Sequence, residues 1–339
     1  MRVLFSCMGG GAGHATRSAS IAYEIKRLDK SVEILFICSG IGAKFIKLAN
    51  FRCEEIEDAI SDMTIHSFRG DSYGYLKFIK KYPRSFNSVK KIINNFKPDI
   101  VVSDQEFASL LISKIKRIRN FLITHEIPPF ELDCLGRFSN WFRIRGFHFA
   151  LNISDKIIIP DIVGIEIPEK IKDKTNRVGF LAKIPEGERE SKENRVLISL
   201  SFTSQNKIMS IFKEIESLPV EVWSRIKFPP ADGFRYLEPA PFLTEYMKDC
   251  GVVICSGYST VMEAVGMRVP CLIIPETREQ QIFAKKAEKN GVAKVSRIES
   301  IREDILDLLD ENKRKKMISS QEKIQNGSLQ SAKIILSKS

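Results

Sequence analysis

Val252–Ala293, VVICSGYSTVMEAVGMRVPCLIIPETREQQIFAKKAEKNGVA, constrains the fold of this chain more than any other stretch. Val252–Cys255 is apolar and β-prone, which predicts a short buried strand. Gly257 ends it, and Tyr258-Ser259-Thr260 leads into a helical run through Met267. Pro270–Pro275 is a second strand with proline at both boundaries. Glu279-Gln280-Gln281 then opens a helix that ends at Asn290-Gly291. Two consecutive β–α units place polar residues at the C-terminal ends of parallel strands, where open α/β sheets bind their ligands.

The start of the first of these helices suits a phosphate. Ser259 and Thr260 follow a glycine at a helix N-terminus, which carries unsatisfied N–H groups and partial positive charge. Glu263 lies one turn deeper on nearly the same face, placed to accept from a diol such as a ribose. A local reading competes, with Thr260 as N-cap and Glu263 reaching back to its N–H in a capping box. The order Ser-Gly-x-x-Thr-x-x-Glu, a proline-bounded strand, then Gln before an alanine-containing helix resembles the nucleotide-sugar site of GT-B glycosyltransferases. The likeness is to the MurG type, the family that transfers N-acetylglucosamine from its UDP sugar onto a lipid-linked acceptor. The resemblance assigns Gly257, Tyr258, Ser259 and Thr260 to the donor diphosphate and Glu263 to the ribose hydroxyls. Gln280 falls to the donor sugar, with Glu279 beside it in the donor site. Arg268 stands where that family has a glycine and Phe283 where it has an asparagine, so the donor preference is expected to depart from the family at these two positions.

A chain of 339 residues suits two α/β domains better than one core. Hydrophobic content of 43% with 28% charge describes a globular protein, not a disordered one. No run approaches the apolar length of a membrane span and Met1-Arg2 leads straight into a strand, so neither signal peptide nor anchor is expected. Cysteine is present in an odd number, seven, without CxxC pairing, and Cys7, Cys38, Cys255 and Cys271 fall in or beside strand patterns. They read as small buried residues of a reducing cytoplasm, not as disulfides or a zinc site. The net charge of +11 favours an anionic partner such as nucleic acid, a phospholipid surface or a phosphorylated substrate. Lysine-rich solvated faces would produce the same balance.

The first half opens with the strand Arg2–Cys7 and the turn Gly9-Gly10-Gly11-Ala12-Gly13-His14, then a helix with Ala15, Ala19, Ile21, Ala22 and Ile25 on its inner face. The glycine spacing and the absence of an acidic residue after Val32–Ile37 set a dinucleotide cofactor aside. Close approach of a ligand to the backbone at Gly11 and Gly13 remains. Of only four histidines, His14 sits at a helix start, where the positive end favours the neutral base. Gly-Gly-x-x-Gly-His resembles the first turn of the MurG type, and Gly13-His14-x-x-Arg17 is also similar to PseG-type nucleotide-sugar hydrolases. Both likenesses imply that His14 deprotonates the attacking group; Arg17, one turn along, is placed to hold phosphate. His125-Glu126 ends a later strand and resembles the acceptor side of the MurG type in its first two positions. It is either an acceptor-side relay, with Glu126 on an acceptor hydroxyl, or a pair that pins a loop. Asp104, at the preceding strand end, is an acceptor-side candidate.

Asp62–Gly74 reads as a loop over the site and Tyr75–Phe96 as a basic amphipathic helix. Arg137–Phe149, RFSNWFRIRGFHF, alternates arginine with aromatics, which fits either core packing or a surface that touches lipid headgroups or stacks on bases. Ser199–Ser204 resembles the family's second phosphate loop in place only, since it lacks glycine. No Asp-x-Asp pair is present to hold Mg²⁺ on a diphosphate.

The expected class is α/β, GT-B, with two Rossmann-like domains facing across a cleft that holds the site. The expected divisions are 1–181 on the acceptor side, 182–325 on the nucleotide-sugar side, and a tail helix in 326–339 crossing back. The implied function is inverting, metal-independent transfer from a nucleotide-diphosphate sugar, a UDP-sugar by the family's pattern, to a lipid-linked or membrane-presented acceptor. The sugar nucleotide is a co-substrate and no cofactor is expected; neither is nucleic acid. The expected location is the cytoplasm, peripheral at the inner face of the membrane through Arg137–Phe149. Hydrolysis of the nucleotide sugar is the nearest alternative, and non-catalytic binding of a nucleotide sugar or nucleic acid a second.

Overall fold

The computed structural model describes residues 1–57, 73–127, 138–186, 192–200, 205–224 and 233–337. The chain divides into two compact units. Met1–Asp161, Ile165–Val178 and Ser328–Ser339 form the first, and Ile162–Gly164 with Gly179–Gly327 the second.

In the first unit the order is β1 (Arg2–Cys7), α1 (Ala12–Leu28), β2 (Glu33–Cys38), α2 (Gly40–Leu48), β3 (Cys53–Glu55), α3 (Tyr73–Phe96), β4 (Ile100–Asp104), α4 (Phe107–Ile115), β5 (Arg119–Ile123), α5 (Phe138–Ile153), β6 (Lys156–Pro160), α6 (Glu169–Lys172) and β7 (Thr175–Val178). Its seven strands run β3-β2-β1-β4-β5-β6-β7, all parallel. Strand interiors such as Val3-Leu4-Phe5 and Ile100-Val101-Val102 are buried throughout, as a sheet covered by helices on both faces requires. Leu4, Leu35, Ile37 and Val101 pack on Val89, Ile93, Ala108 and Ile112 from α3 and α4. Leu122, Ile157 and Ile159 pack on Ala150 and Leu151 of α5.

The second unit contains β8 (Lys192–Ser199), α7 (Gln205–Ile215), β9 (Glu221–Ser224), β10 (Phe234–Tyr236), α8 (Thr244–Met247), β11 (Cys250–Cys255), α9 (Tyr258–Met267), β12 (Cys271–Ile273), α10 (Arg278–Lys289), β13 (Lys294–Val295), α11 (Ile301–Leu309) and α12 (Glu311–Glu322). Its sheet is again parallel, in the order β10-β9-β8-β11-β12-β13. Both sheets are therefore doubly wound, and each reverses its strand order once, at β1/β4 and at β8/β11. Ligands of such sheets bind where the order reverses, beyond the strands' C-terminal ends. The last helix, α13 (Gly327–Leu336), runs in the first unit, where Ser328 Oγ lies 2.8 Å from Ser20 Oγ and Arg119 donates to the Ser337 carbonyl at 2.6 Å.

The chain passes from one unit to the other at Val178/Gly179, three residues before the boundary expected from sequence. Phe180 N–H donates to the Gln325 carbonyl at 3.2 Å, and Gly327 N–H to the Phe180 carbonyl at 2.8 Å. The two segments lie so close that a Cβ on Gly179 would sit 1.9 Å from the Gln325 carbonyl oxygen. This backbone pairing holds residues 179–182 in the second unit. Of the expected loop Asp62–Gly74, residues 62–72 lie outside the described residues, and Tyr73-Gly74 already belongs to α3.

Candidate active site

At the β1/β4 reversal of the first unit, β1 feeds a glycine turn and then α1, with Gly11 as its N-cap. A Cβ at Gly9 would fall 2.0 Å from Ser39 Oγ, so only glycine lets the turn pass the end of β2. A Cβ at Gly11 would meet nothing within 4 Å, which leaves open space before the helix start. Gly13 and His14 occupy the first turn of α1, and Arg17 follows one turn later.

His14 Nδ1 lies 2.8 Å from Asp104 Oδ1 at the end of β4. It also lies 2.9 Å from Arg17 Nη2, which itself donates to Asp104 Oδ1. Nδ1 thus lies between a carboxylate that would accept from it and a guanidinium that would donate to it; the full negative charge of Asp104 favours the tautomer with the proton on Nδ1. The other nitrogen, Nε2, is then the basic one. Asp104 is wholly buried, and it accepts in addition from Arg17 Nε at 2.7 Å and Ser18 Oγ at 2.9 Å. Burial alone would push its carboxyl up; the Arg17 and His14 partners hold it well below the ordinary carboxylate range.

These contacts correct two expectations. Arg17 is only 2% exposed and its guanidinium is forked onto Asp104, so it is committed to the interior instead of to a phosphate. Asp104, with no exposed surface, is the partner of His14 and Arg17 and not a contact for an acceptor. The pairing escaped the sequence because His14 and Asp104 are brought together by strand order; a carboxylate at the end of the strand beside the one feeding His14 was the available signal.

His125 and Glu126 follow β5, both half-buried. The His14 and His125 rings are 6.4 Å apart between centroids. His125 Nδ1 lies 2.7 Å from Arg17 Nη1, and Nε2 stands 4.0 Å from Glu126 Oε1. Burial, then the Arg17 charge and His14, push His125 well below the ordinary histidine value. Thr124 Oγ1 accepts from Glu126 N–H at 3.1 Å and fixes the loop. Glu106, a residue the sequence reading missed, caps α4: its carboxylate accepts from Ala108 N–H, Ser109 N–H and Ser6 Oγ.

In the second unit, Gly257 is the N-cap of α9, at the end of β11 and at the β8/β11 reversal, without a side-chain cap. Tyr258, Ser259 and Thr260 form its half-buried first turn. The capping box between Thr260 and Glu263 is therefore absent. Glu263 is buried and accepts from Leu243 N–H at 3.3 Å. A capping box occurs one unit later instead, at Thr277 and Gln280. Gln280 Oε1 accepts from Glu276 N–H at 2.7 Å and Thr277 N–H at 3.2 Å, while Glu279 is exposed in the same turn.

The two departures from the family pattern take different places. Arg268 is the C-cap of α9 at φ 55° and ψ 42°, a left-handed conformation that favours glycine. It stands at the far end of the helix from Gly257, about 15 Å along the axis, where it serves as a backbone cap. Phe283 packs on Tyr258 with ring centroids 4.4 Å apart, beside the start of α9.

Within Arg137–Phe149 the described side chains divide: Phe147 is core and meets Phe107 edge-on, while Arg145 and Phe149 are exposed. Ser201–Ser204, most of the second phosphate-loop candidate, lies outside the described residues. Cys7, Cys38, Cys255 and Cys271 are buried free thiols. Among the described residues no helix is long and apolar enough to cross a membrane.

Residues 1–124 match the Glycosyl transferase family 1 model, and residues 189–335 the Glycosyltransferase family 28 C-terminal domain. An uncharacterized glycosyltransferase of Methanosarcina acetivorans is 23% identical, covering 92% of this chain and 89% of that protein. The UDP-N-acetylglucosamine--N-acetylmuramyl-(pentapeptide) pyrophosphoryl-undecaprenol N-acetylglucosamine transferase of Bacillus pumilus is 24% identical, covering 92% and 90%. Among solved structures, the Streptomyces sp. SF2575 glycosyltransferase SsfS6 has a TM-score of 0.67 at 13% identity, covering 99% of this chain and all of that one. Spinosyn forosaminyltransferase SpnP gives 0.66 at 17%, covering 99% and 96%. Parallel doubly wound sheets, a histidine–carboxylate pair at one reversal and these matches define a glycosyltransferase of the GT-B fold. By its sequence relatives it is MurG-like.

Proposed function

We propose that this glycosyltransferase moves a sugar from a nucleoside-diphosphate donor, UDP-linked, to a hydroxyl of a lipid-linked or membrane-presented acceptor, with inversion and without a metal. The observation that carries the reading is the contact of His14 Nδ1 with buried Asp104 at 2.8 Å, which leaves Nε2 as the base. Nε2 takes the proton of the acceptor hydroxyl as its oxygen attacks the anomeric carbon. The bond from that carbon to the diphosphate breaks, and its electron pair leaves with the nucleotide. The imidazolium formed is stabilised by Asp104. The start of α9, with Ser259 and Thr260, supplies N–H groups and dipole for the departing diphosphate.

The UDP donor and lipid acceptor are supported by the Bacillus pumilus relative, whose name specifies both. A membrane-presented acceptor is further supported by the net charge of +11 and by exposed Arg145 and Phe149 on α5. The deciding test is a thermal-shift series with UDP, dTDP and GDP and their sugars, followed by transfer from the sugar that shifts most, with and without EDTA. Stabilisation by mass action is expected with a UDP-sugar. A flat response to every nucleotide removes the donor assignment. Release of free sugar without any acceptor transfers the reading to hydrolysis. Flotation with anionic liposomes tests the membrane part, and no binding at low salt would sink it.

A further inference from the structure

Tyr258 and Phe283 form an aromatic wall beside the start of α9. Tyr258 is the first residue of that helix after its N-cap Gly257, and Phe283 lies in the second turn of α10. Their ring centroids are 4.4 Å apart with the planes tilted by 52°, and both side chains are half-buried. The buried residues of α10 are Ala284 and Ala287, small side chains that let the helix pack closely. Phe283 is not among them; its ring rests on Tyr258 instead. Gln280 lies one turn before Phe283 on the same face of α10. The Gln280 oxygen is taken by the N–H groups of Glu276 and Thr277, which leaves the amide nitrogen as the group it can offer a ligand.

Glu263 marks another flank of α9. Positions 258 and 263 are about 140° apart around a helix of 3.6 residues per turn. Tyr258 meets Phe283, whereas Glu263 accepts from Leu243 N–H. A diphosphate at the start of α9 carries its nucleoside on one phosphate and its sugar on the other, so the two leave in different directions. With the ribose toward Glu263, as the family pattern has it, the sugar falls to the flank of Gln280 and Phe283.

We propose that Phe283, seated on Tyr258, is a specificity-determining residue that selects a 6-deoxyhexose donor over the same sugar with its exocyclic hydroxyl. The inference rests on the donor reading of α9 given above. An aromatic face is at best a weak hydrogen-bond partner, so a hydroxyl set against it gives up water without a full replacement. The exocyclic carbon is the one position of a hexose where loss of the hydroxyl leaves a methyl group, and a methyl group packs on a ring. The Gln280 amide donates to a hydroxyl that the sugar keeps.

Calorimetric titration with matched nucleotide sugars reads the selection without an acceptor. One pair is UDP-glucose and UDP-6-deoxyglucose; the other is UDP-N-acetylglucosamine and its 6-deoxy analogue. The 6-deoxy member of each pair is expected to bind about 10- to 100-fold tighter. In Phe283→Asn, which offers the hydroxyl an amide, the preference should disappear. In Phe283→Leu, which keeps an apolar face, it should persist. UDP alone should bind all three proteins alike, which also shows that the variants are folded. Equal affinity within a pair in the wild type, or a preference that survives Phe283→Asn, overturns the proposal, while UDP binding leaves the donor reading standing. No binding of UDP or of any of the four sugars overturns both.

Discussion

His14 Nδ1 and Asp104 Oδ1 meet at 2.8 Å although 90 residues separate them in the chain, because β1 and β4 are neighbours in the sheet. The contact joins a histidine in the first turn of α1 to a strand-end carboxylate that orients it. Asp104 also receives Arg17, so the half-buried base, its buried orienting carboxylate and a buried compensating charge form one group.

Replacing that carboxylate by an amide separates catalysis from stability. In Asp104→Asn the group no longer forces Nδ1–H on His14, and kcat should fall by about 10²–10⁴. Arg17 is left as a buried charge without its counter-ion, which is expected to destabilise the fold by about 3–5 kcal/mol. Activity per folded molecule, with urea unfolding of the same sample, measures both. Unchanged kcat in folded Asp104→Asn rules out His14 as the oriented base.

Acid should weaken the fold in two stages. His125 is held below its ordinary value, so under about pH 6.5 the unfolded chain binds a proton that the native site refuses. Stability is expected to decline from there downward, and His125→Gln should flatten this limb. Asp104 is held low as well, so its contribution is present above about pH 4 and lost as pH falls further. Melting temperature against pH for wild type and His125→Gln reads both limbs.

Arg268 holds a left-handed C-cap where a Cβ is unfavourable. Arg268→Gly is expected to stabilise the protein by about 1 kcal/mol and to leave donor KM unchanged. Denaturant unfolding with donor kinetics checks this. A shift in donor preference would instead support the expected departure from the family at Arg268.

Gln280 combines a cap with a candidate donor contact. Gln280→Glu keeps an oxygen for the N–H groups of Glu276 and Thr277 but removes the amide nitrogen, which bonds to no described residue. Stability should change by less than about 0.5 kcal/mol. Donor KM should rise about tenfold if that nitrogen holds the sugar. An unchanged KM leaves Gln280 a cap alone.

Features that depend on near neighbours in the chain were legible before the fold was known. The apolar runs Val3–Phe5 and Val252–Cys255, the glycine turn before His14, and Gly257 ahead of a helix follow from period, φ restriction and helix-end chemistry. They are enough for two parallel α/β units with binding loops at strand ends. Thr277 with Gln280 has capping-box spacing, a local pattern of the same kind.

Strand order follows from the resemblance to Rossmann-like domains and not from any local pattern, and the side-chain contacts it brings together were not legible. No local rule says that β4 lies beside β1, and on that adjacency depend the Asp104 contact with His14 and the burial of Arg17. The pairing of Phe180 N–H with the Gln325 carbonyl, far along the chain, is likewise a product of the assembled fold. The sequence alone determined which side chains stand at helix starts and strand ends, because those are local consequences of backbone geometry. Only the tertiary structure decided that Arg17 faces a carboxylate and not a phosphate, because a buried guanidinium goes where a counter-charge and acceptors are, and their position is a property of the assembled sheet.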